Sequence, residues 1–541
     1  MCRSFLTGLF LWLSTMTLPA QTTSQAVTAP SRNDFTGILA FLSSNWMEGR
    51  EAVARGGFMA ADYISSIMQL NGLLPYGDTG TLIKPGSPLT RNRTYFQNFE
   101  VVRYHVEKSS LAIIRHSLQG ESALQLNPGI DFNVDPAPFG SEAEAPVVFA
   151  GYGLEAPGKG YNDYTIEVKD RVVMILPGYP GHSDTTSPAW KKLGKSFGTE
   201  FAELSKKLRI AEKNGAVAVI YINPNDNIKP YRNSICNQDI VNNAMNSTEL
   251  TGPEYDDPEY YLPGDTSLGK IPCFRLGADA MRLLTDGTGI DLSGFEKKAA
   301  RNLVSASIMV PGKRIRLSVE VKQEPLTVRN VLGILPGLDT TRNIIVGAHY
   351  DHLGIRKGVI WNGADDNASG VSGMLALARA WAGHSEKPSC NIIFAAWTAE
   401  EKGLLGSDFF ARHSTLVPGR ISLVINLDMI SGSAADDTAR RVISIGTLPI
   451  NEDLKKIARK CNSQLEHPFT LDLWDVTGHS GSDYGPFASR KISVMTFFSG
   501  FTDDYHTPRD VAARADPEKM EKILKVVNDC ILETSKNPPS R

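Results

Sequence analysis

Ile344-Ile345-Val346-Gly347-Ala348-His349-Tyr350-Asp351-His352-Leu353-Gly354 is the stretch that decides the fold. Three apolar residues read as a buried strand, and the strand stops on glycine and on polar, ligand-type side chains. Upstream, Ile315, Leu317, Val319 and Val321 alternate as in a half-exposed strand, and 331–335 reads as another. Downstream, a helix starts at Gly370 with Val371, Met374, Leu375, Ala378 and Trp381 on one face. Runs at 392–397, 423–427, 442–445 and 493–498 then alternate with further helices. Strands separated by helices imply an α/β fold, with a mostly parallel central sheet covered on both faces.

In an open sheet of this kind, ligands gather at the C-terminal ends of strands. The first strand is followed by His349, Asp351 and His352. The turn at Gly363 leads into A-D-D-N-A-S-G, with Asp365 and Asp366. The run 392–397 is followed by T-A-E-E, with Glu400 and Glu401; the run 423–427 by Asp428; and the run 493–498 by D-D-Y-H-T-P, with His506. Each motif alone has an ordinary reading: a structural histidine, a helix start favoured by acids, a turn or N-cap. Together they crowd carboxylates at one sheet edge, where they repel one another unless cations neutralise them. Imidazole with carboxylate is a ligand set suited to zinc, with cobalt or manganese as substitutes.

The rest of the chain sets the context. A length of 541 residues points to two or three domains, and 42% apolar with 21% charged residues is a globular composition. The formal charge of −3 and the lack of a basic patch argue against nucleic acid, with Lys191, Lys192 and Lys195 read as a solvated loop. Arg3, an apolar run from Phe5 to Leu13 and a polar stretch from Gln21 have the form of a cleaved secretory signal ending at Ala20. The run is too short to span a bilayer well, so the expected protein is secreted or periplasmic without stable membrane insertion. Five cysteines remain, none in C-x-x-C spacing, which argues against a cysteine zinc site. Cys236 and Cys273 either pair or stay buried thiols. Residues 33–75 read as helical, with Ala60, Ala61, Ile64, Ile67 and Met68 at helical spacing; 97–116 reads as strands. From 128 the texture changes: a strand run at 147–153 ending in G-Y-G, another at 172–176, a helix through Leu204, Leu208 and Ala211, a strand at 216–222, and a long loop over 223–268.

The block 128–300 resembles the protease-associated domain, a small β-rich module inserted into peptidases. The resemblance rests on G-Y-G, on Tyr161-Asn162-Asp163-Tyr164 and on Asn214-Gly215-Ala216 before a strand. The ordered set H-x-D, A-D-D-x-A-S-G, E-E, D and Y-H-T resembles the di-zinc aminopeptidases of peptidase family M28, over about 325–535 and the helical segment holding Gly49-Arg50. The family also contains carboxypeptidases and glutaminyl cyclases. The resemblance implies a zinc-exopeptidase fold with an inserted domain: a signal at 1–20, an N-terminal part of the catalytic domain at 21–127, the insert at 128–300 and the catalytic domain at 301–541. It implies two zinc ions per chain, one on His349 and Asp428, the other on Glu401 and His506, with Asp365 bridging both. It implies a cis peptide between Asp365 and Asp366, and Asp351 accepting the free N–H of His349. Glu400 is then the general base for a water shared by the metals. His479, in the loop where relatives carry a Tyr, is expected to hydrogen-bond the reaction intermediate, with Tyr505 a weaker candidate and His352 a local structural residue.

Peptides with a free terminus are the expected substrates. An aminopeptidase needs an acid for the substrate ammonium, for which Glu400 or Asp483 would serve; a carboxypeptidase needs a cation, for which Arg356, Lys357 or Arg490 would serve. The expectation favours an aminopeptidase. A one-zinc glutaminyl cyclase, an unrelated di-metal phosphoesterase and a binding protein with decayed ligands are the alternatives. The insert is expected to cover part of the cleft.

Overall fold

The computed structural model describes residues 27–539 apart from 80–92, 118–119, 136, 183, 194–199, 223–257, 266–268, 357, 415–418 and 478–480. The expected signal segment, Lys195, Cys236, Lys357 and His479 therefore lie outside the described residues.

Four strands form the centre of the C-terminal body. Cys390–Trp397, Asp339–His349, Arg420–Leu427 and Val494–Phe498 lie side by side and parallel. Val442–Thr447 joins antiparallel beyond Val494–Phe498, with Thr470–Asp475 parallel to it at the edge. Every residue of Cys390–Trp397 is buried, as a strand covered on both faces requires. One face carries helices Gly370–Ala382 and Pro517–Lys536 over Ile344, Val346, Ile392 and Ile425. The N-terminal segment completes the same core through Phe35, Leu39, Ile64 and Met68. Its helical stretch is broken into Arg32–Leu42, a short turn Asn45–Arg50 and Arg55–Leu70. Gly49 makes the break: its φ is +67°, and a Cβ there would lie 2.4 Å from two backbone oxygens of Gly354 and Trp361.

The two strands expected at 315–321 and 331–335 are one strand, Ile308–Leu335. It persists because Phe96–Ser117 pairs antiparallel with it from Lys313 to Val331, interrupted only by an irregularity at Glu320/Val321. Its last residues pair with Cys390–Trp397 and its first with Ser141–Phe149, so it belongs to two bodies. In the second body Ser141–Phe149, Val172–Ile175, Ala218–Ile222 and Cys273–Leu276 run parallel, closed by antiparallel Phe132–Asp135. The core of that body draws on residues from Leu111 to Val319, a wider span than 128–300. Cys273 is a buried free thiol there. The stretch read as a loop at 223–268 contains a strand, Glu259–Tyr261, which pairs antiparallel with Val102–Tyr104. Sequence masks it because only three residues hold the ladder. Among the described residues, no helix is long and apolar enough to cross a membrane.

Candidate metal centre

The four central strands end at one edge, and each delivers a ligand-type side chain there. His349 is the last residue of its strand, and Glu400 and Glu401 follow Trp397 after a two-residue turn. Asp428 follows Leu427 directly, and His506 lies in the loop after Phe498. The fifth group comes from the buried turn Ala364–Ser369 ahead of helix Gly370–Ala382.

Here the structure corrects the sequence reading by one residue. Asp366, not Asp365, stands between the two halves of the site. Its Oδ1 lies 3.3 Å from His349 Nε2 and its Oδ2 lies 3.0 Å from His506 Nε2. Asp365 points elsewhere: its Oδ1 accepts bonds from the backbone N–H and the hydroxyl of Ser431, both at 2.9 Å. Asp510 fixes the choice by accepting the backbone N–H groups of Asp365 and Asp366, at 2.8 and 3.0 Å. The cis peptide is likewise one residue later than expected, at Asp366-Asn367. Asn367 ties the turn to the next strand, donating to the Leu427 carbonyl and accepting the N–H of Met429.

Two triads result. His349 Nε2 is 3.3 Å from Asp366 Oδ1 and 3.3 Å from Asp428 Oδ1. His506 Nε2 is 3.0 Å from Asp366 Oδ2 and 3.4 Å from Glu401 Oε2. Ligands at roughly 2.0 Å from a tetrahedral zinc stand about 3.3 Å apart, so both triads have the spacing of a cation's first neighbours. His352, Asp366, Glu401 and His506 form one group able to hold an ion, and His349, Glu400 and Asp428 another. All these residues except Glu400 and Asp428 are nearly inaccessible.

Burial and mutual repulsion set the charges. Burial raises the Glu400 carboxyl well above the usual range; neighbouring Glu401, Asp483 and Asp428 add to this, against the pull of His349. Burial opposes the charged form of His349, but Glu400, Asp428 and Asp366 hold its pKa well above the ordinary value. Burial also penalises the Glu401 carboxylate, yet His506 and His352 bring it down to about 2. Asp483, buried beside His349 and Asp428, is pushed up to about 7, mainly by burial.

Asp351 differs from expectation. His349 Nδ1 faces the backbone oxygen of Asp351, at 3.2 Å, rather than its carboxylate. The carboxylate instead accepts the backbone N–H groups of Glu400 and Glu401, at 3.1 and 3.4 Å. A strand-end residue turns its carbonyl toward the preceding imidazole, which leaves its side chain to hold the neighbouring strand's turn. Ser482 donates to Asp428 Oδ2 at 2.6 Å. Tyr505 stacks on His506, ring centroids 3.9 Å apart, and Phe501 packs on Tyr505.

Sequence reading left Arg50 as a point of resemblance without a task. It is fully buried and donates to the carbonyls of Tyr350, Leu42, Asn362 and Gly363, at 2.6 to 2.8 Å. It thereby joins the strand end after His349 to the turn before Asp366. Gly49-Arg50 beside a helix is the only sequence signal for it. Asp510, four residues after His506, carries no signal beyond that proximity.

An α/β sheet whose parallel strands converge two His and several carboxylates on one edge brings together side chains able to hold metal ions. Residues 330–531 match the model of peptidase family M28. The chain is 34% identical over 118 residues to a probable leucine aminopeptidase 2 of Aspergillus oryzae (strain ATCC 42149 / RIB 40), covering 22% of each chain. It is 28% identical over 221 residues to aminopeptidase YwaD of Bacillus subtilis (strain 168), covering 39% of this chain and 45% of that one. The matched segments are thus less than two thirds of either relative. The solved aminopeptidase from Aneurinibacillus sp. strain AM-1 superposes with a TM-score of 0.54, covering 95% of both chains at 18% identity, which establishes a shared fold.

Proposed function

We propose that the protein is a zinc-dependent aminopeptidase with two ions per chain, acting on peptides after export from the cytoplasm. The observation that carries this reading is the pair of triads sharing Asp366, with Glu400 beside them: its Oε2 is 4.0 Å from His349 Nε2. His349, Asp366 and Asp428 would hold one zinc, and Asp366, Glu401 and His506 the other. When bound, the ions polarise the scissile carbonyl and lower the pKa of water in the site. Glu400 takes the proton of the attacking water and hands it to the leaving amine. Asp351 holds Glu400 for this task through the backbone N–H.

The choice of terminus rests on charge. Glu400 and Asp483 are both within the electrostatic reach of the His349 side of the site, where a substrate ammonium would sit. Of the cations considered for a carboxylate, Arg490 is already held by Pro486 and Asp408, and Arg356 lies over the Trp361 ring. Tyr505, stacked on His506 with Phe501 tilted against it, offers an apolar shelf for the terminal side chain. The export signal, the protease-associated character of the second body and a hydrogen bond from His479 to the intermediate belong to the same proposal.

The test is a substrate panel on the zinc-loaded protein. Free-N-terminus amides should be cleaved and N-blocked peptides with a free C-terminus should not. The Glu400→Gln variant should keep its metal and lose activity by about 100-fold or more. Cleavage confined to the blocked peptides would make the enzyme a carboxypeptidase, and full activity in Glu400→Gln would end the proposed mechanism.

A further inference from the structure

Building on the two-ion reading above, we infer that His352 is the positioning residue that fixes Glu401, donating a hydrogen bond to the carboxylate oxygen that does not face His506.

The two oxygens of Glu401 have different neighbours. Oε2 lies 3.4 Å from His506 Nε2, within the second triad. Oε1 lies 2.9 Å from Nδ1 of His352. The 2.9 Å separation is a hydrogen-bond length, and an ionised carboxylate can only accept, so Nδ1 carries the proton. The same nitrogen is 3.7 Å from Asp366 Oδ2, too far for a second bond of that kind.

The other ring nitrogen separates this role from direct ligation. His352 has no exposed surface, and its Nε2 is buried with no hydrogen-bond partner among the described residues. With the proton on Nδ1, Nε2 carries only a lone pair, and no N–H is left unsatisfied. If Nδ1 bound a metal, the proton would move to Nε2 and become a buried orphan donor, which costs about 1–3 kcal/mol. The surroundings pack closely on the ring. A Cβ on Gly363 would lie 2.5 Å from His352 Cγ and Cδ2, so the ring sits directly on that glycine. The His506 ring closes another side, with centroids 5.7 Å apart. The backbone N–H of His352 donates to the Arg50 carbonyl at 3.2 Å. His352 thus transmits the Arg50 and Gly363 framework to one oxygen of Glu401, leaving the other for an ion.

The experiment is metal titration of the full chain after chelation, with Zn(II) by calorimetry and Co(II) by its visible absorption, in wild type, His352→Ala and His352→Asn. Asn places an amide N–H where Nδ1 stood but is a poor zinc ligand. The expected result for His352→Ala is a 10- to 100-fold weaker affinity at one of two sites, with the other unchanged. His352→Asn should recover to within a few-fold of wild type and give the wild-type cobalt spectrum. Wild-type affinity at both sites in His352→Ala would overturn the inference. So would a His352→Asn protein as weak as His352→Ala with an altered cobalt spectrum, the signature of a lost ligand. If wild type binds a single ion, the two-ion reading fails by itself. The inference about His352 then stands or falls on whether His352→Ala weakens that ion.

Discussion

At the level of single residues, the site depends on which way neighbouring backbone units face. His349, Glu401, Asp428 and His506 were legible because each follows a recognisable strand, and a strand end has one direction. Asp365 and Asp366 were not separable, because two adjacent aspartates in an irregular turn differ only in backbone angles that sequence does not encode. Ser431 and Asp510 decide the matter, and both lie more than sixty residues away in sequence. Arg50 was equally hidden, since its partners are carbonyls, which every residue has. Burial lowers its pKa to about 10, with Asp510 and Asp366 opposing that shift, so it remains charged. Arg50→Lys keeps the charge but cannot reach four carbonyls with one ammonium. The expected loss, measured by urea unfolding, is about 2–4 kcal/mol, from carbonyls left unsatisfied. A variant as stable as wild type would show that the guanidinium fork is not needed.

Among elements, the turn carrying Glu400 and Glu401 is held under backbone strain. Ala399 has φ +55° and Leu404 has φ +63°, both in the left-handed region that disfavours residues with a Cβ. Strand Glu259–Tyr261 and the residues after it pack against this turn. Tyr260 and Leu262 share one apolar cluster with Ala399 and Leu405. Lys402 lies 5.3 Å over the Tyr260 ring and pairs with Glu51 at 3.1 Å, while Arg412 pairs with Asp265 at 2.9 Å. This strap was illegible because its anchor strand is short and its contacts are with residues more than a hundred positions away. We expect Tyr260→Ala to speed amide hydrogen exchange over residues 398–406 and to lower kcat by roughly tenfold through misplacement of Glu400. Unchanged exchange in that turn would contradict the role given to the strap.

Across the whole molecule, two bodies share the strand Ile308–Leu335, and each has its own core. The α/β pattern of the C-terminal body was readable because its strands are continuous apolar runs. The second body was readable as strands but not as a boundary, because its core recruits parts of two long strands that also serve the first. Asp163 locks this body. It accepts the N–H groups of Tyr152, Leu154 and Ala306 and the hydroxyl of Tyr161. Burial nonetheless pushes its pKa up to about 7, the hydrogen bonds offsetting only part of the shift. The folded state then holds a proton that the unfolded chain releases near pH 4, so stability falls as pH rises from about 4 to 7. Asp163→Asn removes this dependence. Relative to that variant, wild type should lose stability between pH 5 and pH 8, by at most about 4 kcal/mol, as read by urea midpoints. A parallel pH dependence in the two proteins would mean that Asp163 is ionised throughout.

The shared ligand is the centre of the account, and counting zinc in Asp365→Asn and Asp366→Asn beside wild type tests it most directly. Wild type and Asp365→Asn should each bind two ions per chain, and Asp366→Asn should lose affinity for both. Loss of both ions in Asp365→Asn, with Asp366→Asn unaffected, would contradict the assignment of the bridge.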